Sequence, residues 1–221
     1  MEFPSKFSFT VKSTTARPPK TTEPELTAVA GIRGKTKLNE AASKLLGLKP
    51  GDYLTFHSNE EQIDSIKEAY AAGEVIDWVE DAGGVDALKI QWGISKGWEL
   101  MDMNGLPIIT KKPLTLKEEK KLRAAGQVDE NGKVIAPDMP ARRGSRLSSK
   151  MKELKSGMIL ECTDSTNAPA LRAGYSDDMH VVYSINETPV AAEFENGSET
   201  VNVDIYLINF VREDVKVEKS K

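Results

Sequence analysis

Two short stretches of this 221-residue chain carry cations at a density that suits phosphate recognition. Arg33, Lys35 and Lys37 form the first set, and Arg142, Arg143 and Arg146 the second. Residues 33–49 hold five basic side chains and one acidic, a net +4, and residues 142–155 hold six and one, a net +5. Arginine meets a phosphate through two parallel N–H bonds, and every cation that neutralises a phosphate releases condensed counterions. The whole chain nevertheless has a formal net charge of −4. A generic polyanion binder is therefore not expected, and the distribution of charge matters more than its total. These six residues are the candidate nucleic-acid-binding set; the plainer alternative is that both stretches are solvated faces.

Other chemistry finds less support. Gly31-Ile32-Arg33-Gly34-Lys35-Thr36 invites comparison with a phosphate-binding loop, but the glycine required five residues earlier is Val29, and the helix cap signal comes late, at Asn39. His57 and His180 are the only histidines, and neither has a second His or Cys at metal-ligand spacing. Asp77, Glu80, Asp81 and Asp177-Asp178 do not follow a calcium-loop pattern. No nucleophile motif marks a Ser/His/Asp set. Cys162, the one cysteine, excludes an internal disulfide and reads as a small buried hydrophobe. No enzyme activity, cofactor or metal is expected.

The elements that must position the cations are legible around the first set. A basic, strand-like segment reaches Asn39, a good N-cap for the short apolar stripe Ala42, Leu45 and Leu46. Gly47 stops that helix, Leu48 to Asp52 forms a turn on Pro50 and Gly51, and Tyr53 to Phe56 leaves as a strand. The second set opens a shorter echo. Arg143-Gly144 matches Arg33-Gly34, Leu147-Ser148 matches Leu38-Asn39 with serine as the new cap, and Leu154 to Gly157 matches Leu48 to Gly51. Met158 to Cys162 then stands for Asp52 to Phe56. Internal self-similarity of this kind outranks a single motif as a fold signal.

The run Ala41 to Asp52, AASKLLGLKPGD, resembles the AbrB/MazE/SpoVT swapped-hairpin family, and the echo resembles it more weakly. The resemblance implies a small barrel of interleaved hairpins, a nucleic-acid surface of basic residues beside them, and here both halves on one polypeptide. A long insert between the copies departs from the family's usual dimeric assembly.

Around this unit the chain divides into an N-terminal strand and Pro/Thr-rich arm (1–25), a first half (26–58), an α/β insertion (59–140), a second half (141–163), C-terminal hairpins (164–211) and a charged tail (212–221). Within the insertion, Asn59 is placed to cap a helix running to Gly73; Leu88, Ile90 and Trp92 alternate as a half-buried strand; Asn104-Gly105 makes a hairpin turn; and Thr115 to Ala125 reads as a helix ended by Gly126. Residues 163–178 read as a polar loop, with strands at 180–185, 190–194 and 201–211. Strands outnumber helices, so the expected fold class is mainly β with short helices (α+β), a duplicated swapped-hairpin barrel. No apolar run approaches the roughly 20 residues of a membrane helix, and the first residues lack a signal-peptide core. A cytoplasmic protein, or a virion component if viral, is expected.

Two functions follow as expectations. The first is a non-enzymatic DNA-binding regulator using both basic hairpins on double-stranded DNA. The alternative is a virion- or capsid-associated structural or assembly protein, such as a phage protein, in which the barrel is a scaffold and the N-terminal arm mediates protein contacts or self-association. An antitoxin-like partner binder is a weaker third option.

Overall fold

The structure, a computed structural model, describes residues 22–31, 34–150 and 159–215. Its first strand, β1 (Glu25–Val29), buries every second residue, Leu26 and Ala28. The same alternation in β2 (Lys35–Leu38) turns Thr36 and Leu38 inward and both lysines outward. Then follow α1 (Glu40–Leu45), β3 (Tyr53–Ser58), α2 (Glu60–Ala71), α3 (Asp77–Asp81), β4 (Trp92–Lys96), β5 (Ile109–Lys111), α4 (Leu116–Ala124) and β6 (Asp138–Pro140). The remainder is β7 (Ser145–Arg146), β8 (Ser148–Lys150), β9 (Ile159–Thr163), α5 (Asn167–Ala170), β10 (Met179–Ile185), β11 (Val190–Asn196) and β12 (Glu199–Val215).

Among the described residues the principal sheet runs β7-β3-β4-β12-β10-β1-β2-β9-β8, with β11 added to β12. Its two ends, β7 and β8, are separated only by Leu147. That residue donates its N–H to the Asp52 carbonyl at 2.7 Å and accepts from the Gly51 N–H at 2.9 Å. One segment therefore pairs with β3 through Ser145 and Arg146 and with β9 through Ser148 to Lys150, which curls the sheet into a nearly closed barrel. Closure removes the open edges a flat sheet would present. The chain is mainly β with short helices, as expected.

The inward residues meet in one core: Leu26, Leu38, Leu54, Ile94, Leu147, Leu160, Val181 and Tyr183. A fully buried leucine contributes about 1.5–3 kcal/mol relative to an exposed one. Cys162 is in this core, its Sγ 3.0 Å from Thr36 Oγ1, and burial pushes its thiol up to about 11 against the weaker opposing pull of that hydrogen bond. The α1 turn caps one end. Asn39 Oδ1 accepts the Ala42 N–H at 2.8 Å, while its Nδ2 donates to the Glu23 carbonyl at 2.7 Å, so one side chain both starts the helix and pins the entry to β1. Gly47 (φ 61°) and Gly51 (φ 97°) supply the left-handed positions that the following turn requires.

Several expectations are corrected. Asn59 stands at the N-cap of α2, but its side chain makes no capping bond; its Oδ1 accepts the Gln91 N–H at 2.7 Å. The strand expected from Leu88 begins at Trp92, where Gly93, Ile94 and Ser95 are buried and Ile90 is not. It is a stave of the barrel, paired to β3 and β12. Ser148 is no helix cap: it lies in β8, opposite Glu161. The loop of 163–178 contains α5, which brings Ala168 and Leu171 into buried positions. The Thr115 helix, ended at Gly126 (φ 73°), has a full capping box with Glu118. Expectations for the arm before Thr22, for Leu154 to Gly157 and for most of the charged tail lie outside the described residues. No helix among the described residues is long and apolar enough to cross a membrane.

Candidate nucleic-acid interface

Lys35 and Lys37 point away from the core on β2, and their neighbour across the ladder is β9, with Lys35 opposite Thr163 and Lys37 opposite Glu161. Lys35 Nζ lies 3.4 Å from Glu161 Oε1, so part of the first cluster's charge is balanced from β9. On the far side of β9 stands β8, its Ser148 also opposite Glu161. The ladder's sense continues past Leu147, because Ser145 Oγ donates to Asp164 Oδ2 at 3.0 Å. In that register Arg146 falls in line with Thr163 and Lys35. Two strand spacings separate the backbones of Arg146 and Lys35, about 10 Å. Arg146 is exposed, and its guanidinium reaches the Pro113 carbonyl at 3.4 Å.

Asp164 ties the two Arg-Gly segments together. Its N–H donates to the Gly34 carbonyl at 2.8 Å, while its carboxylate accepts from Ser145 Oγ, from the N–H groups of Thr166 and Asn167, and from Asn167 Nδ2. Burial alone would raise this carboxyl, but the hydrogen bonds outweigh it and hold it below the ordinary carboxylate range. Gly34 has no room for a side chain: a Cβ there would sit 2.2 Å from the Asp164 carbonyl oxygen.

The other two described cations sit on the segment leading into β7. Arg142 Nη2 lies 3.6 Å from Glu99 Oε2. Arg143 has the more rigid backbone: its N–H donates to the Trp98 carbonyl at 2.8 Å, its carbonyl accepts from Thr55 Oγ1 at 3.3 Å, and Gly97 packs against that carbonyl so tightly that a Cβ would come within 2.0 Å. The side chain of Arg143 is exposed and forms no ion pair with a described carboxylate. Arg33 lies outside the described residues. The six sequence candidates thus divide into Lys35, Lys37 and Arg146 on one outward face, Arg142 and Arg143 on the segment leading into β7, and Arg33 undescribed.

Sequence reasoning missed Asp164, Glu161 and Thr55, the residues that hold or balance these cations. Glu161 left a signal, a lone charge in the apolar run MILEC. Asp164 bonds Thr166 and Asn167 locally, but its links to Ser145 and Gly34 are made only by the barrel and left no signal. His57, too, has a defined place. It stacks in a group with Trp98 and Phe194, and burial, helped by nearby Arg143, lowers its pKa to about 4, so the ring is neutral at pH 7. Among the described residues no group of three or more His, Cys, Asp or Glu side chains is placed to hold a metal ion.

No family model, no curated protein and no solved structure matches this chain.

Proposed function

We propose that this chain is a non-enzymatic DNA-associated regulatory protein built on a duplicated swapped-hairpin barrel of the AbrB-like kind. The observation that carries the reading is the crossed pairing of the two similar segments. The leading strand of the first, β2, pairs with the trailing strand of the second, β9, and the leading strand of the second, β7, pairs with the trailing strand of the first, β3. Two hairpins exchanged within one polypeptide would give this pattern. It also gathers Lys35, Lys37 and Arg146 on a common outward face where they can meet duplex phosphates, with Arg142 and Arg143 extending the basic surface.

Affinity for duplex DNA measured across a salt series tests this. Native protein is expected to weaken steeply with salt, and the triple variant Lys35→Ala/Lys37→Ala/Arg146→Ala to bind more weakly, with a slope shallower by about 2–3. Salt-independent binding, or a triple variant indistinguishable from native, removes the reading.

A second reading rests on a different observation. The excursion between β4 and β7 exposes Met103 (77%), Leu106 (61%), Ile109 (58%) and Ile135 (52%), apolar side chains open to a protein partner. A structural or assembly role, with the barrel as a scaffold in a virion, would use that surface against protein. Light scattering after size exclusion separates the two: a stable oligomer dispersed by Leu106→Ser/Ile109→Ser supports it, and a monomer unaffected by those changes counts against it.

A further inference from the structure

Four parts of the chain converge on a cleft of about 200 Å³ lined by Thr55, Phe56, His57, Trp98, Leu100, Arg143, Phe194 and Glu195. The β11–β12 hairpin is brought there by its tip: Asn196 Nδ2 donates to the Glu99 carbonyl at 2.9 Å, its Oδ1 accepts the Met101 N–H at 3.0 Å, and Gly197 fits where a Cβ would come within 2.0 Å of the Asp102 carbonyl oxygen. The result is a cluster of three rings, two of its pairs stacked and the third, His57 with Phe194, tilted by 34°. Trp98 and Phe194 stack at 5.3 Å with planes 25° apart, and His57 and Trp98 lie 6.3 Å apart at 12°. All three rings remain partly exposed.

Hydrophobic stapling of the hairpin would explain the rings. It does not explain the pair of charges beside them. Arg143 is held by its backbone at one lip, with no carboxylate partner among the described residues, and Glu195 stands in the same lining. An aromatic wall beside an exposed arginine whose backbone is held in place is the chemistry that recognises a planar ring joined to an anion. The volume sets the size. It falls below the roughly 300–1,000 Å³ of a site that engulfs a drug-sized ligand, so one ring enters while the anion stays at the mouth.

We propose that this cleft binds a single nucleotide unit, its base against Trp98 and Phe194 and its phosphate on Arg143. Base–aromatic stacking contributes about 1–3 kcal/mol per base in single-strand binders, and the neutral His57 ring adds no charge to repel Arg143. The source is either a free mononucleotide or an unpaired base of a single strand. The proposal shares Arg143 with the edge of the duplex-binding surface, but Lys35, Lys37 and Arg146, the cations tested there, do not line the cleft.

The indole N–H signals of the three tryptophans give a direct readout, because Trp78 and Trp92 lie outside the cleft. Full-length protein would be titrated with adenosine 5′-monophosphate, with ribose 5-phosphate, which lacks the base, and with a short single-stranded oligoadenylate. The nucleotide is expected to shift the Trp98 signal selectively, ribose 5-phosphate to leave it unmoved, and Arg143→Ala to weaken binding about tenfold or more. Arg143→Ala removes only an exposed side chain, since the fixed contacts of that residue are made by its backbone. Lys117→Ala, on the far helix α4, should bind as native does. Tighter binding of the oligonucleotide than of the mononucleotide assigns the single strand as the source, and the reverse assigns the free nucleotide. A Trp98 signal unmoved by both at millimolar concentration, an equal response to ribose 5-phosphate, or undiminished binding by folded Arg143→Ala overturns the proposal, whatever the duplex measurements give.

Discussion

Two strand pairings of the barrel, the crossing of β2 with β9 and the crossing of β3 with β7, are made by different means. At the first, four consecutive residues pair in unbroken register, Leu38 with Leu160 and Thr36 with Cys162 facing the core. At the second only two pairs form, Tyr53 with Arg146 and Leu54 with Ser145. Matching Leu38 to Leu147 and Leu160 to Leu54 would place Leu147 across from Leu54; it stands instead against Asp52, two residues along. What the second crossing lacks in ladder it gains in close approach. Gly144, at φ 99°, lies where a Cβ would meet the Leu54 carbonyl oxygen at 2.5 Å, and Gly97 is pressed on the Arg143 carbonyl. The difference teaches that one barrel can be closed by apolar pairing on one side and by glycine-permitted backbone contact on the other.

The largest test of that contrast is Gly97→Ala. A methyl group 2.0 Å from a backbone oxygen cannot be absorbed by a rotamer change, so a loss of about 4 kcal/mol, or failure to fold, is expected in denaturant unfolding. A variant of near-native stability would mean that the second crossing is loose. Next comes Leu160→Ala at the first crossing, which should cost about 2–5 kcal/mol by removing a fully buried side chain; a cost below 1 kcal/mol would show that the ladder, not the core beneath it, holds the first crossing.

Protonation separates the crossings further. His57, beside the second, has its folded pKa lowered to about 4 from an ordinary 6.5. The unfolded chain therefore takes up this proton first, and the stability due to the neutral ring is complete above pH 6.5 and is lost as pH falls toward 4. Discounted for the ring's partial exposure, the loss is on the order of 1–2 kcal/mol. Comparing unfolding at pH 7 and pH 4.5 in native protein and in His57→Phe isolates it, since the variant lacks the group; equal pH dependence in both would assign the effect elsewhere. At the first crossing the titrating group is Cys162, raised to about 11. Its thiol should react with an alkylating reagent at pH 8 only as fast as the chain opens, and prompt labelling of native protein would contradict its burial. The smallest effect belongs to Lys35→Ala. Its ion pair with Glu161 is partly exposed, so a change within about 1 kcal/mol is expected, and a larger loss would show that the pair holds the crossing rather than decorating it.

How far these features were legible in the sequence follows the same division. The first segment announced itself because its signals are local: Asn39 caps, Gly47 stops, and Lys49 to Asp52 turns, each acting within a few residues. The helix starting near Thr115 and the Asn104-Gly105 turn were legible for the same reason. The strand Glu25–Val29 was missed because Leu26 and Ala28 give too little apolar contrast to mark alternation. Ser148 was misread because a good cap residue also fits a strand once β9 offers it partners. Among the site residues, the cations were visible as composition. Their grouping was not, since Asp164, Glu161 and Gly97 act on them across wide gaps in sequence. The cleft of Trp98, Phe194 and Arg143 was hidden for the same reason.

The segment from Ser145 to Lys150 carries one further consequence. Among the described residues it is the seam through which the sheet closes, serving β3 with its first residues and β9 with its last. A proline or a backbone cut at Leu147 would therefore bare two strand edges in one event, one on each flank of the opening. Both would be hungry for partners, and the nearest supply in a concentrated solution is another damaged copy. Injury at this point should announce itself as chains sticking to one another before it appears as loss of helix or strand.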